Sequence, residues 1–319
     1  MINTHQVGNS ELVAPGPAII KRLSRSLQHR WKSIIIFIPY FWLFLFFLTP
    51  FFIVFKISLA EPAIASPPFL PMIEWADEGI LRIKLVFENF VYLWEDDLYF
   101  KTYLNSLKIS SISTLLCLLI GYPMAYAIVR ARHPYKHILL MFIILPFWIP
   151  FLLRVYSLMG LLADRGTINN LLIYLGFIDE PIRLLYAPFA VYVGIVYTYL
   201  PFMILPLYAN MEKLDSSLRE AAADLGARPV ATFITVTLPL TTPGIIAGSL
   251  LVFIPATGEF IIPDLLGGGN VLMIGRLLWD EFTANHDWPV ASAVAIILCI
   301  VLVLPMMLYQ RTQGKQVED

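Results

Sequence analysis

The chain has 319 residues, 58% hydrophobic and 14% charged, with a mean hydropathy of +0.74 and a formal net charge of -1. A soluble domain is about 45–50% apolar and about 25% charged, so this chain has too little polar surface to cover a globule in water. Disorder, a secreted disulfide scaffold and a nucleic-acid-binding domain are disfavoured together, since disorder needs low hydrophobicity and nucleic-acid binding a basic surplus.

The composition is that of a polytopic membrane protein, with the lipid bilayer as its first partner. Residues 1–32 form a tail in which Pro17 to Lys32 reads as a basic amphipathic helix on the headgroups, or as a solvated basic anchor. A crossing helix needs about 20 mostly apolar residues. The stretches 33–57, 107–129, 138–162, 187–209, 243–264 and 290–310 qualify, and the expected class is an all-α integral membrane protein with six transmembrane helices. The apolar run of the first is about twice a signal-peptide core, although Ala63-Ile64-Ala65 mimics a cleavage site. The fifth is interrupted by Pro255, Gly258, Glu259 and Pro263. Residues 58–106 form an outer loop region, 107–310 the core and 311–319 a second tail. Cys117 and Cys299 lie inside apolar runs and read as packing residues.

Orientation follows from basic residues in short loops. One side, with both termini and the segments 130–137 and 210–242, carries 13 Lys and Arg against 6 on the other. Both termini are therefore expected to be cytoplasmic.

The loop 210–242 stands apart. Ser217-Leu218-Arg219-Glu220 fits a capping box, in which the Ser217 hydroxyl and the Glu220 carboxylate satisfy first-turn N–H groups reciprocally. Strong helix formers follow to Leu225, Gly226 sits where a helix end takes a left-handed residue, and Pro229 suits the opening of a second helix. Leu238-Pro239 is expected to end that second helix. On local chemistry the segment is either an ordinary surface helix or a docking element, with Leu218 and Leu225 as apolar contacts.

Glu220-Ala221-Ala222, three residues, Gly226, nine residues, Val236, then Leu238-Pro239 resembles the EAA loop of ABC importer permeases, with Val236 in place of the usual isoleucine. The resemblance implies a type I, MetI-like architecture. It also implies that Glu220, Ala221, Ala222, Gly226, Leu238 and Pro239 couple the chain to a separate ATPase dimer. The chain has no G-x-x-x-x-G-K-[S/T] phosphate loop, so ATP and Mg are expected on that partner, with no catalytic residue, metal or cofactor here.

Further segments, among them Leu118 to Pro123, Arg154-Val155-Tyr156, Gly258-Glu259-Phe260 and Asp287 to Ala295, resemble polyamine importer permeases, most of all the first permease of putrescine-type systems. That resemblance implies a bacterial inner membrane location, a homologous second permease, a periplasmic polyamine-binding protein and a polyamine substrate such as putrescine or spermidine. A permease for iron(III), sulfate or another cationic compound is the alternative within the class, and an ion-coupled secondary transporter the alternative outside it. A secondary transporter would bury several titratable groups. An intramembrane enzyme would need a site that no histidine supplies, since all five lie outside the spans.

A polycation needs acceptors, aromatic faces and negative potential along its route. The outer loops carry 14 acids against 6 bases, either an electronegative vestibule or a solvated acidic face. Within the spans, Arg154 and Glu259 lie at equal depth on a regular helical ruler, with Asp264 near the outer end. Glu259 and Asp264 are pathway candidates together with Tyr156 and Trp148. The competing reading makes Glu259 a structural ion pair with Arg154.

Overall fold

The computed structural model describes residues 35–75 and 81–318, so the expected amphipathic segment Pro17–Lys32 lies outside the described residues. The chain divides into two units, Met1–Lys56 and Ile57–Asp319. In the first, helix α1 (Ile35–Ser58) begins. It carries a π turn at Phe44–Leu48, and its side chains from Ile35 to Phe47 are almost all exposed, as suits a helix that faces lipid.

Among its described residues the second unit is mainly helical, with one hairpin, β1 (Ile73–Trp75) with β2 (Leu81–Ile83), antiparallel with Glu74 opposite Arg82. This hairpin in the outer loop region is a departure from a purely helical chain. Helix α2 (Glu88–Glu95) is tied down by Asn89, whose amide donates to the carbonyls of Ser58 and Ala60, both at 2.9 Å.

Helix α3 (Asp97–Arg130) starts ten residues before the apolar run expected at 107. Asp96 caps it by accepting the Leu98 N–H at 2.8 Å, and its first turns bury Tyr99 and Thr102, which hydropathy alone does not mark as helical. Farther along, Ser106, Ser110, Ser113, Cys117, Gly121 and Ala125 are all buried. Their spacing of three and four puts small side chains on one face, which lets neighbouring backbones approach closely in lipid.

The third expected span is broken. Tyr135–Trp148 (α4 with a closing 3-10 turn) and Phe151–Tyr174 are bent by 95° to one another. The cause is Pro150: Ile149 before it is forced into extended backbone, φ -92° and ψ 129°, and the ladder cannot continue. Phe151–Tyr174 itself comprises α5 (Phe151–Leu162) and α6 (Thr167–Tyr174).

Helix α7 (Pro188–Met211) matches the fourth expected span within two residues. It packs closely with α3 and with α9 (Pro229–Thr257), which follows the short α8 (Ser217–Asp224). Met203, fully buried, fills the junction of the three: a Cβ on Gly121 would lie 3.1 Å from its Cγ and one on Gly248 2.8 Å from its sulfur.

The fifth span also departs from expectation at both ends. Leu238-Pro239 does not stop the helix, because a π turn at Phe233–Thr237 absorbs the proline. The Leu238 N–H bonds the Phe233 carbonyl five residues back, and Pro239, which has no N–H to give, follows. At the other end the helix stops at Thr257 and a separate α10 (Ile261–Gly267) begins.

Helices α11 (Ile274–Thr283) and α12 (Trp288–Glu318) complete the chain, so the segment expected as a tail, 311–319, is helical to Glu318. Among the described residues, four helices are long and apolar enough to cross a membrane, or five if the bent pair is one span. The sixth expected span corresponds to Trp288–Leu304, an apolar helix below that length class.

Candidate coupling segment and a buried polar break

The end of the bundle where α7 gives way to α8 and α9 holds the motif residues. The expected capping box does not form: Ser217 is already the first helical residue, and its N–H is received by Asp215 at 3.0 Å. That bond holds the Asp215 carboxyl below its ordinary range. Glu220 is exposed in the first turn. The helix closes in a Schellman motif, with Ala227 N–H to Ala222 C=O at 3.0 Å and Gly226 N–H to Ala223 C=O at 2.9 Å. Gly226 sits at φ +83°, and nothing lies within 4 Å of where a Cβ would be.

The carbonyls of Ala222 and Ala223 end the helix, and the methyl groups of Ala221 to Ala223 leave a low surface beside Leu218, 46% exposed, and Leu225, 89% exposed. Val230, in the first turn of α9, adds a third exposed apolar side chain. Arg228 precedes Pro229 with extended backbone, which turns the chain into α9.

Behind this surface the segment is anchored to the bundle. Phe233 meets the rings of Tyr122 and Tyr126 edge-on, and Tyr122 shares a hydrogen bond of 3.0 Å with Thr241. Lys136, at the start of α4, forms an ion pair with Glu212 and lies 5.6 Å over the Tyr208 ring. A cavity of about 220 Å³ lies between these elements, lined by Tyr126, Lys136, Glu212, Leu218 and Thr237 among others. Sequence reading missed Asp215, Phe233 and Glu212. A signal for the first was available, an acid two residues before the helix start.

The second site is the break between α9 and α10. Glu259 stands there, 7% exposed. Its Oε1 receives the backbone N–H groups of Phe260, Ile261 and Ile262 at 3.2, 3.1 and 3.4 Å, and its Oε2 receives the Tyr199 hydroxyl. No ion pair joins it to Arg154, so the expected structural pair is absent. The helical ruler fails because Glu259 lies outside any helix and Arg154 follows the 95° bend. Arg154 is likewise buried, 7% exposed, with Nε and Nη1 lacking hydrogen-bond partners and the rings of Phe147 and Phe151 each 5.8 Å from its Cζ.

The other pathway candidates are placed differently. Asp264 forms an ion pair with Arg276 at 2.9 Å and is half-exposed. Trp148 and Tyr156 lie on the exposed surface of the chain, apart from the buried polar centre. Several outer acids are also occupied: Glu61 pairs with Lys84, Asp97 with Lys101 at 2.7 Å, and the buried Glu281 accepts from Tyr99 at 2.7 Å and Asn285 at 2.8 Å. Glu61, Glu88, Glu281 and Asp287 line a cavity of about 760 Å³.

Residues 117–317 match the family described as "Binding-protein-dependent transport system inner membrane component". The spermidine/putrescine transport system permease protein PotB of Escherichia coli (strain K12) is 44% identical over 245 residues, covering 76% of this chain and 89% of that protein. The PotB protein of Haemophilus influenzae is 40% identical over 285 residues, 89% of this chain and 95% of that one. Among solved structures, a bacterial ABC transporter involved in the import of the acidic polysaccharide alginate aligns with a TM-score of 0.67 at 17% identity, over 93% of this chain and 100% of that chain. The MetNI methionine ABC transporter aligns with a TM-score of 0.51 at 16% identity, over 70% of this chain and 96% of that chain. At those identities the structures share the fold alone. The sequence relatives carry more, and this multi-pass membrane protein belongs to the family of inner-membrane components of binding-protein-dependent transport systems.

Proposed function

We propose that this chain is the membrane-spanning permease subunit of an ATP-driven polyamine uptake system, handling substrates of the putrescine and spermidine class. The single observation that carries the substrate is the 44% identity to a spermidine/putrescine permease over 76% of this chain. In this reading both termini are cytoplasmic. A homologous second permease completes the pathway, and a periplasmic binding protein delivers the polyamine. ATP and Mg are bound and hydrolysed on a separate ATPase dimer.

The docking element in this reading is the surface of α8 and the start of α9, with Glu220, Ala221, Ala222 and Gly226 facing the ATPase. Its exposed Leu218, Leu225 and Val230 supply apolar contact, and the fixed turn at Gly226 sets their angle. Motion at that surface reaches the bundle through Phe233 on Tyr122 and Tyr126, and through the Lys136–Glu212 ion pair.

The test is the purified partner binding protein and the ligand it retains, followed by uptake of labelled putrescine and spermidine by the whole complex. Polyamine retained and transported is the expected result. A sugar, sulfate or iron(III) in the binding protein overturns the substrate reading, and uptake independent of any ATPase overturns the ABC reading.

A further inference from the structure

We infer that Glu259 is a positioning residue, which fixes the break in the fifth span by capping α10, and is not a ligand of the transported cation. The inference rests on the permease reading above and assigns the role of one residue within it.

A carboxylate is an acceptor only, and this one receives four donors from its own chain, three backbone N–H groups and one phenol. The three amides take up Oε1, so an ammonium group arriving at Glu259, which is 7% exposed, would have to share Oε2 with the Tyr199 hydroxyl or displace an amide. The amides cannot be given up freely. Phe260, Ile261 and Ile262 open a new helix, where N–H groups have no carbonyl of an earlier turn to bond, and no water in the hydrocarbon region replaces one. Ile262 is fully buried.

The break is also enclosed by close backbone packing. A Cβ on Gly275, in the first turn of α11, would lie 2.1 Å from the Gly258 carbonyl oxygen and 2.8 Å from that of Glu259. A Cβ on Gly194 of α7 would lie 2.5 Å from Leu266 and 2.8 Å from Ile262, both in α10. Glycines thus let α11 close on the break and α7 on α10, while Glu259 satisfies the α10 amides from within and Tyr199 ties the carboxylate to α7. The absent Arg154 pair fits the same conclusion, because amides and a phenol already hold the Glu259 charge.

The experiment uses the complete complex of both permeases, ATPase and binding protein in proteoliposomes, with uptake KM, maximal rate and binding-protein-stimulated ATP hydrolysis measured. Glu259→Gln keeps a carbonyl for the amides and removes the charge. It is expected to hold KM within about twofold and the maximal rate within about threefold of the parent. Glu259→Ala removes the cap and is expected to lower the maximal rate about tenfold or more with little change in KM. Gly275→Ala, which disturbs the break and leaves the carboxylate in place, is expected to give the same pattern as Glu259→Ala. A Gln variant that fails as badly as Ala, or that raises KM about tenfold, overturns the inference and makes the charge a substrate contact. An Ala variant that transports normally overturns it too. Should the Ala complex not assemble, Gln against parent decides alone. If the parent complex carries no polyamine, the substrate reading fails by itself, and the same variants are compared through stimulated ATP hydrolysis.

Discussion

The rings of Phe233 and Tyr122 stand perpendicular, with centroids 5.6 Å apart, so the segment that follows Glu220-Ala221-Ala222 presses edge-on against the 34-residue α3. Phe233 lies in the π turn, where the widened helix pushes one side chain out of regular register. Phe233→Leu keeps apolar bulk and removes the edge-on contacts, each worth about 0.5–1.5 kcal/mol. The complex should still assemble, but transport less substrate per ATP hydrolysed. An unchanged ratio would show that the mechanical route bypasses this contact.

Gly226 gives a prediction of a different kind. Space is open around it, so Gly226→Ala meets no neighbour and feels only the left-handed backbone, about 1–2 kcal/mol for an L-residue. That strain should loosen the turn between α8 and α9 and weaken co-purification of the ATPase. Gly226→Asn should retain more binding than Ala, because asparagine tolerates this conformation. Equal losses for Ala and Asn would point to contact across the interface instead.

Met203 occupies volume shared by three helices. Met203→Ala should lower stability by about 2–5 kcal/mol in thermal unfolding of the purified complex. Gly248→Ala alone should also destabilise, since its Cβ would meet the Met203 sulfur at 2.8 Å. Together the two changes should cost less than their sum, with a coupling of about 0.5–3 kcal/mol. Strict additivity would show that α9 relaxes away from α7.

Asp287 caps α12 through the Val290 N–H at 3.0 Å, yet burial holds its carboxyl above the ordinary 3.8. A raised folded value means that the folded state binds more protons than the unfolded chain between the two pKa values. Stability therefore falls as pH rises through the folded value, and the penalty disappears below 3.8. Asp287→Asn removes the titration, so the difference in melting temperature between variant and parent should shrink as the pH is lowered. A difference independent of pH would show that the carboxyl titrates as it does in the unfolded chain.

The parts of this architecture legible in the sequence are those governed by local chemistry and long apolar runs. Pro188–Met211 is read nearly to the residue because its run is bounded by a proline at the start and polar residues at the end. Gly226 is legible because only a left-handed position explains a glycine after so strong a helix former run. The breaks were harder. Pro150 and Pro239 have the same covalent restriction, but the first ends a helix and the second is absorbed, because a π turn re-spaces the bonds before it. Hydropathy carries no term for that. The Arg154–Glu259 pair failed for the same reason, since depth counted along a regular helix has no meaning across a bend and a gap. Ser217 shows the limit at smaller scale: its N–H goes to Asp215, and two acceptors within two residues compete for one helix start.

The π turn that carries α9 through Pro239 has a mechanical consequence. Because the helix is unbroken from Pro229 to Thr257, its 29 residues form one rod of about 43 Å, with the exposed Leu225 and Val230 at one tip and the Glu259 break at the other. Tilting such a rod by about 5° around one end displaces the far end by about 4 Å, close to the width of an extended chain's side-chain spacing. A helix stopped at Leu238 would have put a joint about one third of the way along and dissipated that displacement. Preserving the rod turns a small rotation at one of its ends into a large translation at the other.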